Sequence, residues 1–498
     1  FQAEDGIRDV ERSRGLGDVY KRQTNGSGGT YVAYLFAHDT DADSIIKCGS
    51  VSIPSNATTA GKMFDTEFGF EPAYITMKSS SGSYEWYILD DVRGMGYQFM
   101  GFLNWDGGGN EAVTNQYVGF APMSEGFFQG PMSYGNGKPF YANHTYIYTV
   151  IKRPMPRVSD VSGTLSGTSG STNVFYPSSA VNVTGAAVYT TPNWTNNGLG
   201  TNLAPVVDMS WHTDNGGTLY QSARLLGKSA MHIGHVADAP LTSANYVHYQ
   251  GRDDPITHGF GRSNPPTTYH SMNWRRATGF FDMVMFRGDG TLNHAINHNL
   301  GAVPKMIIVK RVTEGESSVI STANNFWTTY HSEVGNTKYF QLGQVDVPFT
   351  ASTAWNNTTP TDTQFTVGSG AYINLGNGLF QALLFGEVSG VSKIGSYTGG
   401  GTNSVTVDCG FTNGIDFLYI KNISSVDHGH LFNRQFGITT SAGADTSMEV
   451  KEVPGGFHTA NDSIQQHSSG FTLMPNVGAS QANINGDTYV FYAIANST

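Results

Sequence analysis

The sequence is poor in charged residues, in cysteine and in helix-forming segments. Charged residues make up 13% of the chain, about half of the quarter that is typical of globular domains. No long stretch keeps apolar residues at the i, i+3, i+4, i+7 spacing of an amphipathic helix. The composition therefore excludes a mainly helical protein, and the fold must be built from another element.

Three further absences restrict the classes of partner. The formal net charge is −11 without any cluster of arginine or lysine, which disfavours a nucleic-acid backbone as partner. No apolar run approaches the ~20 residues that a membrane-spanning helix needs, so insertion into a membrane is not expected. The two cysteines, Cys48 and Cys409, lie far apart and are interpreted as small buried apolar residues rather than as a disulfide.

The first 23 residues differ in composition from the rest of the chain. They contain ten charged residues, five acidic and five basic, and they lack the apolar segment of a signal peptide. Their sequence resembles a translated linker that occurs at the ends of metagenomic assemblies. We therefore interpret residues 1–23 as a non-native, linker-derived leader that takes no part in the fold.

What the sequence does contain is glycine, at 61 residues, and short apolar runs separated by asparagine, serine and threonine. This pattern is typical of short strands connected by tight turns. An aromatic-rich strand recurs four times in similar letters, at Tyr31–Ala37, Tyr146–Lys152, Phe380–Gly386 and Tyr489–Ala495, and Phe281–Phe286 is a looser copy. A recurring strand indicates a recurring domain.

Other short patterns recur in a fixed order between the copies of this strand. One is a tight turn followed by an apolar strand that ends on a lysine, as at Lys78, Lys310 and Lys421. We expect this lysine to reach solvent. Another is an aromatic strand that begins near Trp86 and Trp327, whose rings we expect to pack in the core because both occur at the same place in the repeat.

The spacing of these patterns gives the size of the repeat. Phe380 and Tyr489 are 109 residues apart, which is close to the usual length of one β-sandwich. We predict an all-β fold of tandem antiparallel β-sandwiches of the jelly-roll or lectin-like type, with few or no helices. The predicted segments are 24–37 (the closing strand of a truncated upstream repeat), 38–156, 157–287 (a divergent repeat with an insertion), 288–388 and 389–498.

Several phrases of the sequence resemble the tandem repeats of marine bacteriophage tail-fibre-like structural proteins. They are GTYVAYLFA, IIKCGSVS, GFEPAYITMK, WYILDDVRG, FFDMVMFRGDG, VSKIGSYTGGGTN and TYVFYAIA. The resemblance covers residues 24–498 and implies a virion component that faces the host. Its implied partners are other virion or tail proteins and host-surface glycan, with a homotrimer as a candidate assembly. It implies no catalytic residues.

Three aspartates near the first repeat are candidate calcium ligands. Asp39, Asp41 and Asp43 alternate as in the first half of a calcium-binding loop. Ser44 and Ser50 stand where such a loop has glycine and glutamate. A solvated loop between repeats is the alternative. We therefore expect no cofactor, and calcium at this loop is the one candidate.

His428 and His430 form an H-x-H pair that is a second candidate metal site. On a strand, both imidazoles would face the same side, and three chains of a trimeric fibre could present six nitrogens to one axial metal. The alternative is a pair of surface histidines in a loop, because Gly429 would interrupt a strand.

Aromatic residues in loop-rich segments are candidates for stacking on sugar rings. The predicted glycan-binding residues are Trp105, Asp106, Tyr246, Tyr249 and Trp274. The sequence has no nucleophile-elbow, phosphate-loop or zinc-protease signature, so we do not expect an enzyme.

We therefore expect a structural and adhesive virion protein, of tail-fibre type, that binds cell-surface glycan through loop aromatics. One alternative is an extracellular carbohydrate-active protein, either a depolymerase or a set of carbohydrate-binding modules. Two acids at hydrolytic distance in a deep cleft would favour that alternative. The other alternative is a cellular adhesin with phage-like repeats.

Overall fold

The computed structural model describes the chain in segments separated by gaps. The described residues are 30, 33, 35–41, 44–53, 65–84, 86–91, 95–96, 99–104, 112–114, 120–129, 141, 143–156, 158, 174–181, 188–190, 207–214, 219–227, 230–233, 241–242, 248–249, 260–262, 268–313, 325–434, 438, 445–450, 457–460, 463–475 and 481–496. Within them the chain forms four antiparallel β-sandwiches, which we number 1 to 4 and which span residues 46–152, 175–274, 281–385 and 392–495.

Short strands make up the first two sandwiches. Sandwich 1 consists of β1 (Ile46–Ser52), β2 (Asp65–Glu67), β3 (Pro72–Ser79), β4 (Trp86–Asp90), β5 (Met95–Gly96), β6 (Phe99–Asn104), β7 (Ala112–Thr114), β8 (Phe120–Met123), β9 (Gly126–Gln129) and β10 (Thr145–Lys152). Sandwich 2 consists of β11 (Phe175–Val181), β12 (Val188–Thr190), β13 (Met209–Asp214), β14 (Leu219–Ala223), β15 (Ala230–Ile233), β16 (Leu241–Thr242), β17 (His248–Tyr249), β18 (Phe260–Arg262) and β19 (Thr268–Trp274).

The last two sandwiches have the same kind of content. Sandwich 3 consists of β20 (Phe281–Arg287), β21 (His294–Asn297), β22 (Met306–Thr313), β23 (Thr328–His331), β24 (Lys338–Gln341), β25 (Phe349–Thr350), β26 (Gln364–Val367) and β27 (Leu379–Phe385), with short helices α1 (Ser352–Trp355) and α2 (Ala371–Asn374). Sandwich 4 consists of β28 (Ser392–Thr398), β29 (Val405–Asp408), β30 (Ile415–Asn422), β31 (Gly429–Asn433), β32 (Asp445–Val450), β33 (Phe457–Ala460), β34 (Ile464–His467), β35 (Gly470–Leu473) and β36 (Thr488–Ala495).

Helix is a minor element of the described residues. Besides α1 and α2, it includes 3-10 turns at Arg224–Leu226 and Gln481–Asn483. None of the helices in the described part of the chain is long and apolar enough to cross a membrane.

All four large sheets begin with the same strand order, and sandwich 1 departs from it after β4. The large sheets run β1-β10-β3-β4-β6-β5 (with β7 on β6), β11-β19-β13-β14-β15-β16, β20-β27-β22-β23-β24-β25 and β28-β36-β30-β31-β32-β33. The small sheets run β2-β9-β8, β12-β18-β17, β21-β26 and β29-β35-β34. In each sandwich the first strand pairs with the last and the second with the next to last, which is the nested pairing of a jelly roll. The predicted all-β fold of antiparallel sandwiches is confirmed.

The recurring aromatic strand is the last strand of its sandwich and lies inside the large sheet. β27 is buried at every residue because β20 and β22 flank it on either side and both of its faces are covered. A strand in this position reads as a nearly continuous apolar run. β10 and β36 occupy the same place, and so does β19, whose sequence TYHSMNW lacks the recurring letters.

Two expectations about this strand need correction. Phe281–Phe286 does not close the second repeat: it belongs to β20, the first strand of sandwich 3, where Phe281 pairs with Phe385. The opening strand β20 pairs along the whole length of the closing strand β27 and is buried in the same way. Its amino-acid sequence is therefore as apolar as that of a closing strand. At the predicted strand Tyr31–Ala37, the described residues Ala33 and Leu35–Ala37 are not in a strand and Leu35 is 93% exposed; Tyr31, Val32 and Tyr34 lie outside the described residues.

Sandwiches 1, 3 and 4 each enclose an apolar core between their two sheets. In sandwich 4, Leu418 and Ile420 of the large sheet pack with Phe471 and Leu473 of the small sheet. Separate clusters fill the same space in sandwich 1 and in sandwich 3. In these three sandwiches, one face of the large sheet is therefore covered by its own small sheet. In sandwich 2 the corresponding face is polar, because Ser210 and His212 alternate along β13 with Met209 and Trp211.

The opposite faces of the large sheets, here called the outer faces, pack against one another in sandwiches 2, 3 and 4. The Trp274 ring lies 6.5 Å from the Phe385 ring and 5.3 Å from the Phe417 ring, measured between centroids. The Phe385 ring lies 5.1 Å from the Tyr492 ring. Each of the three sheets thus contacts both others, and their outer faces form one cluster of buried residues, the shared core.

Candidate functional site

A network of buried ion pairs joins sandwiches 1, 2 and 3. Arg276 lies between β19 and β20 and donates from Nη1 and Nη2 to the two carboxylate oxygens of Glu71, at 2.8 and 2.6 Å. Its Nε donates to Oδ1 of Asp282 at 2.7 Å, and its backbone amide donates to Oδ2 of Asp208 at 2.8 Å. None of these four side chains is more than 2% exposed. One guanidinium therefore neutralises buried carboxylates that come from different sandwiches.

Two more arginines complete the network around Asp208. Arg224 Nε donates to Asp208 Oδ1 at 3.0 Å, and Arg153 Nη2 donates to the same oxygen at 2.9 Å. Arg153 Nη1 also binds Asp91 in sandwich 1. Burial raises the pKa of Asp208, but the three arginines outweigh burial and lower this pKa to about 2. The carboxylate is therefore charged at neutral pH.

Part of this network is a feature that the fold repeats. In sandwich 4, Arg434 Nε lies 2.9 Å from Asp416 Oδ1, and the Arg434 backbone amide donates to the Asp416 carbonyl at 3.1 Å. The Arg224 amide donates to the Asp208 carbonyl in the same way, at 2.9 Å. Arg434 is 36% exposed at its side chain, whereas Arg224 is 1% exposed. The arginine–aspartate pair is therefore a feature of a single sandwich. Where sandwiches 1, 2 and 3 meet, Arg153 and Arg276 bind the aspartate of this pair as well.

We expect Arg276→Met to lower the free energy of unfolding by about 3–5 kcal/mol, because it leaves the carboxylates of Glu71 and Asp282 buried without their main cation. The measurement is urea unfolding followed by circular dichroism. Lys393→Ala is the matched control, since it removes the partly exposed Lys393–Glu387 ion pair at 3.0 Å and should cost less than about 1 kcal/mol. Equal effects of the two variants would contradict a junction held by Arg276.

The lysines at the ends of the recurring apolar strands hold loops. In three sandwiches, the ammonium donates to a backbone carbonyl in the loop that leads to the next strand: Lys78 to Tyr84, Lys310 to Asn325 and Lys421 to Asp427. Lys310 is 1% exposed and Lys421 is 0% exposed. The expectation that these two lysines reach solvent is wrong, because the outer face on which they lie is covered by the neighbouring sandwiches.

Buried polar groups also join sandwiches 3 and 4. Lys421 donates to the carbonyl oxygens of Gln344 and Val345, at 2.9 and 3.2 Å, and burial lowers the pKa of Lys421 to about 8. His331 Nε2 lies 3.3 Å from the carbonyl oxygen of Phe491 in β36. The Glu333 amide donates to its Nδ1 at 3.2 Å, so the proton of the neutral ring lies on Nε2. Burial lowers the pKa of His331 to about 4.

We expect His331 to make the protein sensitive to acid. Its pKa is lower in the folded state than the ordinary value of 6.5, so between pH 6.5 and pH 4 the unfolded chain binds a proton that the folded chain does not. The free energy of unfolding is therefore undiminished above pH 6.5 and falls as the pH decreases towards 4. The full loss is about 3 kcal/mol, at 1.36 kcal/mol for each pKa unit. The measurement is the free energy of unfolding between pH 4 and pH 7 in the protein and in His331→Gln.

The difference between the two pH profiles is the quantity to read. Burial also lowers the pKa of His232, His270 and His298, and these residues are common to both proteins. Parallel profiles would show that His331 is not a source of the acid sensitivity.

The candidate metal ligands do not form a centre in the described residues. The Asp39 carboxylate accepts the Asp41 amide at 3.1 Å, which is the geometry of an aspartate turn before β1; Asp43 lies outside the described residues. His430 Nε2 lies 3.2 Å from Asp427 Oδ2, while His428 precedes β31, which begins at Gly429. Among the described residues, no group of three or more His, Cys, Asp or Glu could hold a metal ion.

The structure places two of the five predicted glycan-binding residues, and it rules out one of these two as a binding residue. Trp274 is 0% exposed in the shared core, so its ring cannot stack on a sugar, and its selection as a loop aromatic is corrected. Tyr249 lies in β17, in the small sheet of sandwich 2. Trp105, Asp106 and Tyr246 lie outside the described residues.

The two recurring tryptophans also have different outcomes. Trp327 is 3% exposed, which confirms the expectation of core packing, but Trp86 is 36% exposed, and for it the expectation is wrong.

The cysteines Cys48 and Cys409 are free thiols. Burial raises the pKa of Cys409 to about 12.

A pair of stacked tyrosines lies near the surface of sandwich 1. The rings of Tyr84 and Tyr141 are 4.1 Å apart with an interplanar angle of 16°, and His144 meets Tyr84 edge-on at 4.9 Å. Tyr141 is 37% exposed, and its backbone amide donates to the hydroxyl of Tyr146 at 3.0 Å. We call Tyr84, Tyr141 and His144 the aromatic platform. The sequence did not indicate it, because its residues lie in two loops that are far apart along the chain.

A family model described as a domain of unknown function, DUF7483, matches residues 243–498, slightly more than half of the chain. The chain belongs to the DUF7483 family. The DUF7483 segment includes sandwiches 3 and 4 and also β19, the closing strand of sandwich 2. It therefore carries strands from all three large sheets that form the shared core. A comparison with curated proteins finds no match to the chain.

Proposed function

We propose that this DUF7483 chain is a structural and adhesive protein of a virion, of tail-fibre type, which binds host-surface glycan without transforming it. Its place would be on the outside of the particle, attached to other tail proteins. The observation that carries the proposal is the exposed aromatic platform on an array of sandwiches that are joined by buried contacts.

The joints support a mechanical role. Sandwiches 2 to 4 share one apolar core, and sandwich 1 is tied to them by the buried side chains of Glu71 and Arg276. Interfaces of this kind hold neighbouring domains in a fixed relation, unlike the small polar contacts that allow domains to move. Such an array presents its loops at set distances, which suits binding by avidity to a repeated surface ligand.

The aromatic platform supports the adhesive role. Sugar rings stack on exposed aromatic faces, and neighbouring polar groups bind the sugar hydroxyls. Tyr141 offers an exposed ring backed by Tyr84, and the platform supplies two phenol hydroxyls and an imidazole.

We expect Tyr141→Ala to weaken glycan binding by about 2- to 10-fold, which corresponds to the 0.5–1.5 kcal/mol of a stacked aromatic contact. The measurement is a glycan array with the full chain, followed by titration of the sugars that bind. Phe349→Ala is the matched control, because Phe349 is 38% exposed and stacks on Tyr339 in sandwich 3. It should leave binding unchanged.

Each result of this experiment bears on a separate part of the proposal. Loss of binding in Phe349→Ala alone would move the site to sandwich 3 and leave the function in place. Binding to none of the host-derived sugars would contradict the adhesive function. Release of reducing ends from a bound polysaccharide would contradict binding without catalysis and favour the depolymerase.

A further inference from the structure

Three pairs of the described tyrosines have stacked rings. The distances between ring centroids are 4.1 Å for Tyr84 and Tyr141, 4.9 Å for Tyr397 and Tyr489, and 5.1 Å for Tyr339 and Tyr372. The first pair, which forms the stack of the aromatic platform, is therefore the closest. Its rings are inclined by only 16°, so carbon atoms of one ring lie over carbon atoms of the other.

The closest pair also includes the most exposed of these tyrosines. Tyr141 is 37% exposed, and Tyr84 is half-buried. The pair in sandwich 4 is shut off from solvent, since Tyr397 is 8% and Tyr489 is 0% exposed, and the Tyr397 hydroxyl donates to the Ala482 carbonyl at 2.7 Å. A dissolved oxidant therefore reaches the pair in the platform and not the pair in sandwich 4.

The two rings of the platform are held together by the fold. Tyr84 lies in the loop between β3 and β4, and Tyr141 lies in the segment before β10, far along the chain. A Cβ at Gly82 would lie 2.5 Å from Tyr84 Cε2 and 2.9 Å from His144 Cδ2, so both of these rings rest on bare backbone. Two reactive groups that are held in contact react as if each were present at a very high concentration.

We propose that Tyr84 and Tyr141 form an intramolecular dityrosine cross-link when the protein meets hydrogen peroxide and a one-electron oxidant of the peroxidase class. Each phenol gives up one electron and one proton, and one molecule of peroxide is thereby reduced to two molecules of water. The two phenoxyl radicals join through the ring carbons next to the oxygens. The hydrogens on these carbons then move to the oxygens, which restores both phenols, and the chain has lost two hydrogen atoms.

The new bond ties the loop before β4 to the segment before β10. Because Tyr141 lies at the surface, its ring can turn to bring the two carbons together. A covalent link between distant residues lowers the conformational entropy of the unfolded chain, so the oxidised protein resists unfolding better than the untreated protein. The cross-link concerns the chain and the oxidant alone, and it does not depend on the proposed binding of glycan.

The test is oxidation of the dilute full chain with hydrogen peroxide and a haem peroxidase, followed by proteolytic digestion and mass spectrometry. We expect a peptide in which Tyr84 is joined to Tyr141, from a chain that keeps the 53.7 kDa of a monomer less two hydrogen atoms. Tyr84→Phe and Tyr141→Phe should each abolish this peptide and lower the dityrosine fluorescence, because phenylalanine keeps the stacking but has no phenol to oxidise. Tyr372→Phe, which removes a phenol from the stacked pair of sandwich 3, is the matched control and should leave the yield unchanged.

Urea unfolding of the same samples tests the consequence of the bond. Peroxide treatment should raise the urea midpoint of the wild-type chain and leave that of Tyr141→Phe unchanged. Coupling of other tyrosines without the Tyr84–Tyr141 peptide would overturn the proposal, and so would treatment that yields no coupled tyrosine. Equal dityrosine fluorescence in the wild-type chain and in both phenylalanine variants of the platform would also overturn it. Glycan binding by the untreated chain is measured separately and is not affected by any of these results.

Discussion

The large sheets of sandwiches 2, 3 and 4 each have an apolar outer face that their own small sheet does not cover. This face has to be removed from water, and in this chain it is removed by two more faces of the same kind. The closing strand lies inside the large sheet. In sandwich 3 one face of this strand packs on the core of the sandwich and the other on the shared core, which explains why β27 is buried at every residue. The same constraint buries Lys310, Lys421 and His331, and each of these side chains bonds to backbone groups that lie within reach.

The joint of sandwich 1 combines a small apolar contact, made by Ala121 and Met123 of β8 with the shared core, with a network of buried charges. Arginines 153, 224 and 276 meet the carboxylates of Glu71, Asp208 and Asp282 away from water. Removing charges from water is costly, so this arrangement holds only while every carboxylate keeps its arginine. An apolar joint tolerates small changes of packing, whereas this network requires a set geometry. We infer that it defines how sandwich 1 is oriented on the other three.

Much of the fold could be predicted from the sequence because each repeat contains the same short sequence patterns in the same order. The 109-residue period and the aromatic strand indicated sandwiches and located β10, β27 and β36. The strand β19 was missed because its neighbours supply the burial that its letters do not suggest. Trp86 and Trp327 occupy the same place in the repeat and differ in exposure, because neighbouring sandwiches cover only one of them. The ion network and the aromatic platform could not be predicted from the sequence, because their residues come from distant segments without a common spacing.

The central claim is that sandwiches 2 to 4 form one cooperative unit around a shared core. Native-state hydrogen exchange of the full chain in rising urea tests it most directly, because it measures the opening free energy of each strand separately. The account predicts that the amides of β19, β27 and β36 exchange through one common opening with a single free energy. Three different opening free energies for these strands would mean that the sandwiches unfold independently, and would contradict the shared core.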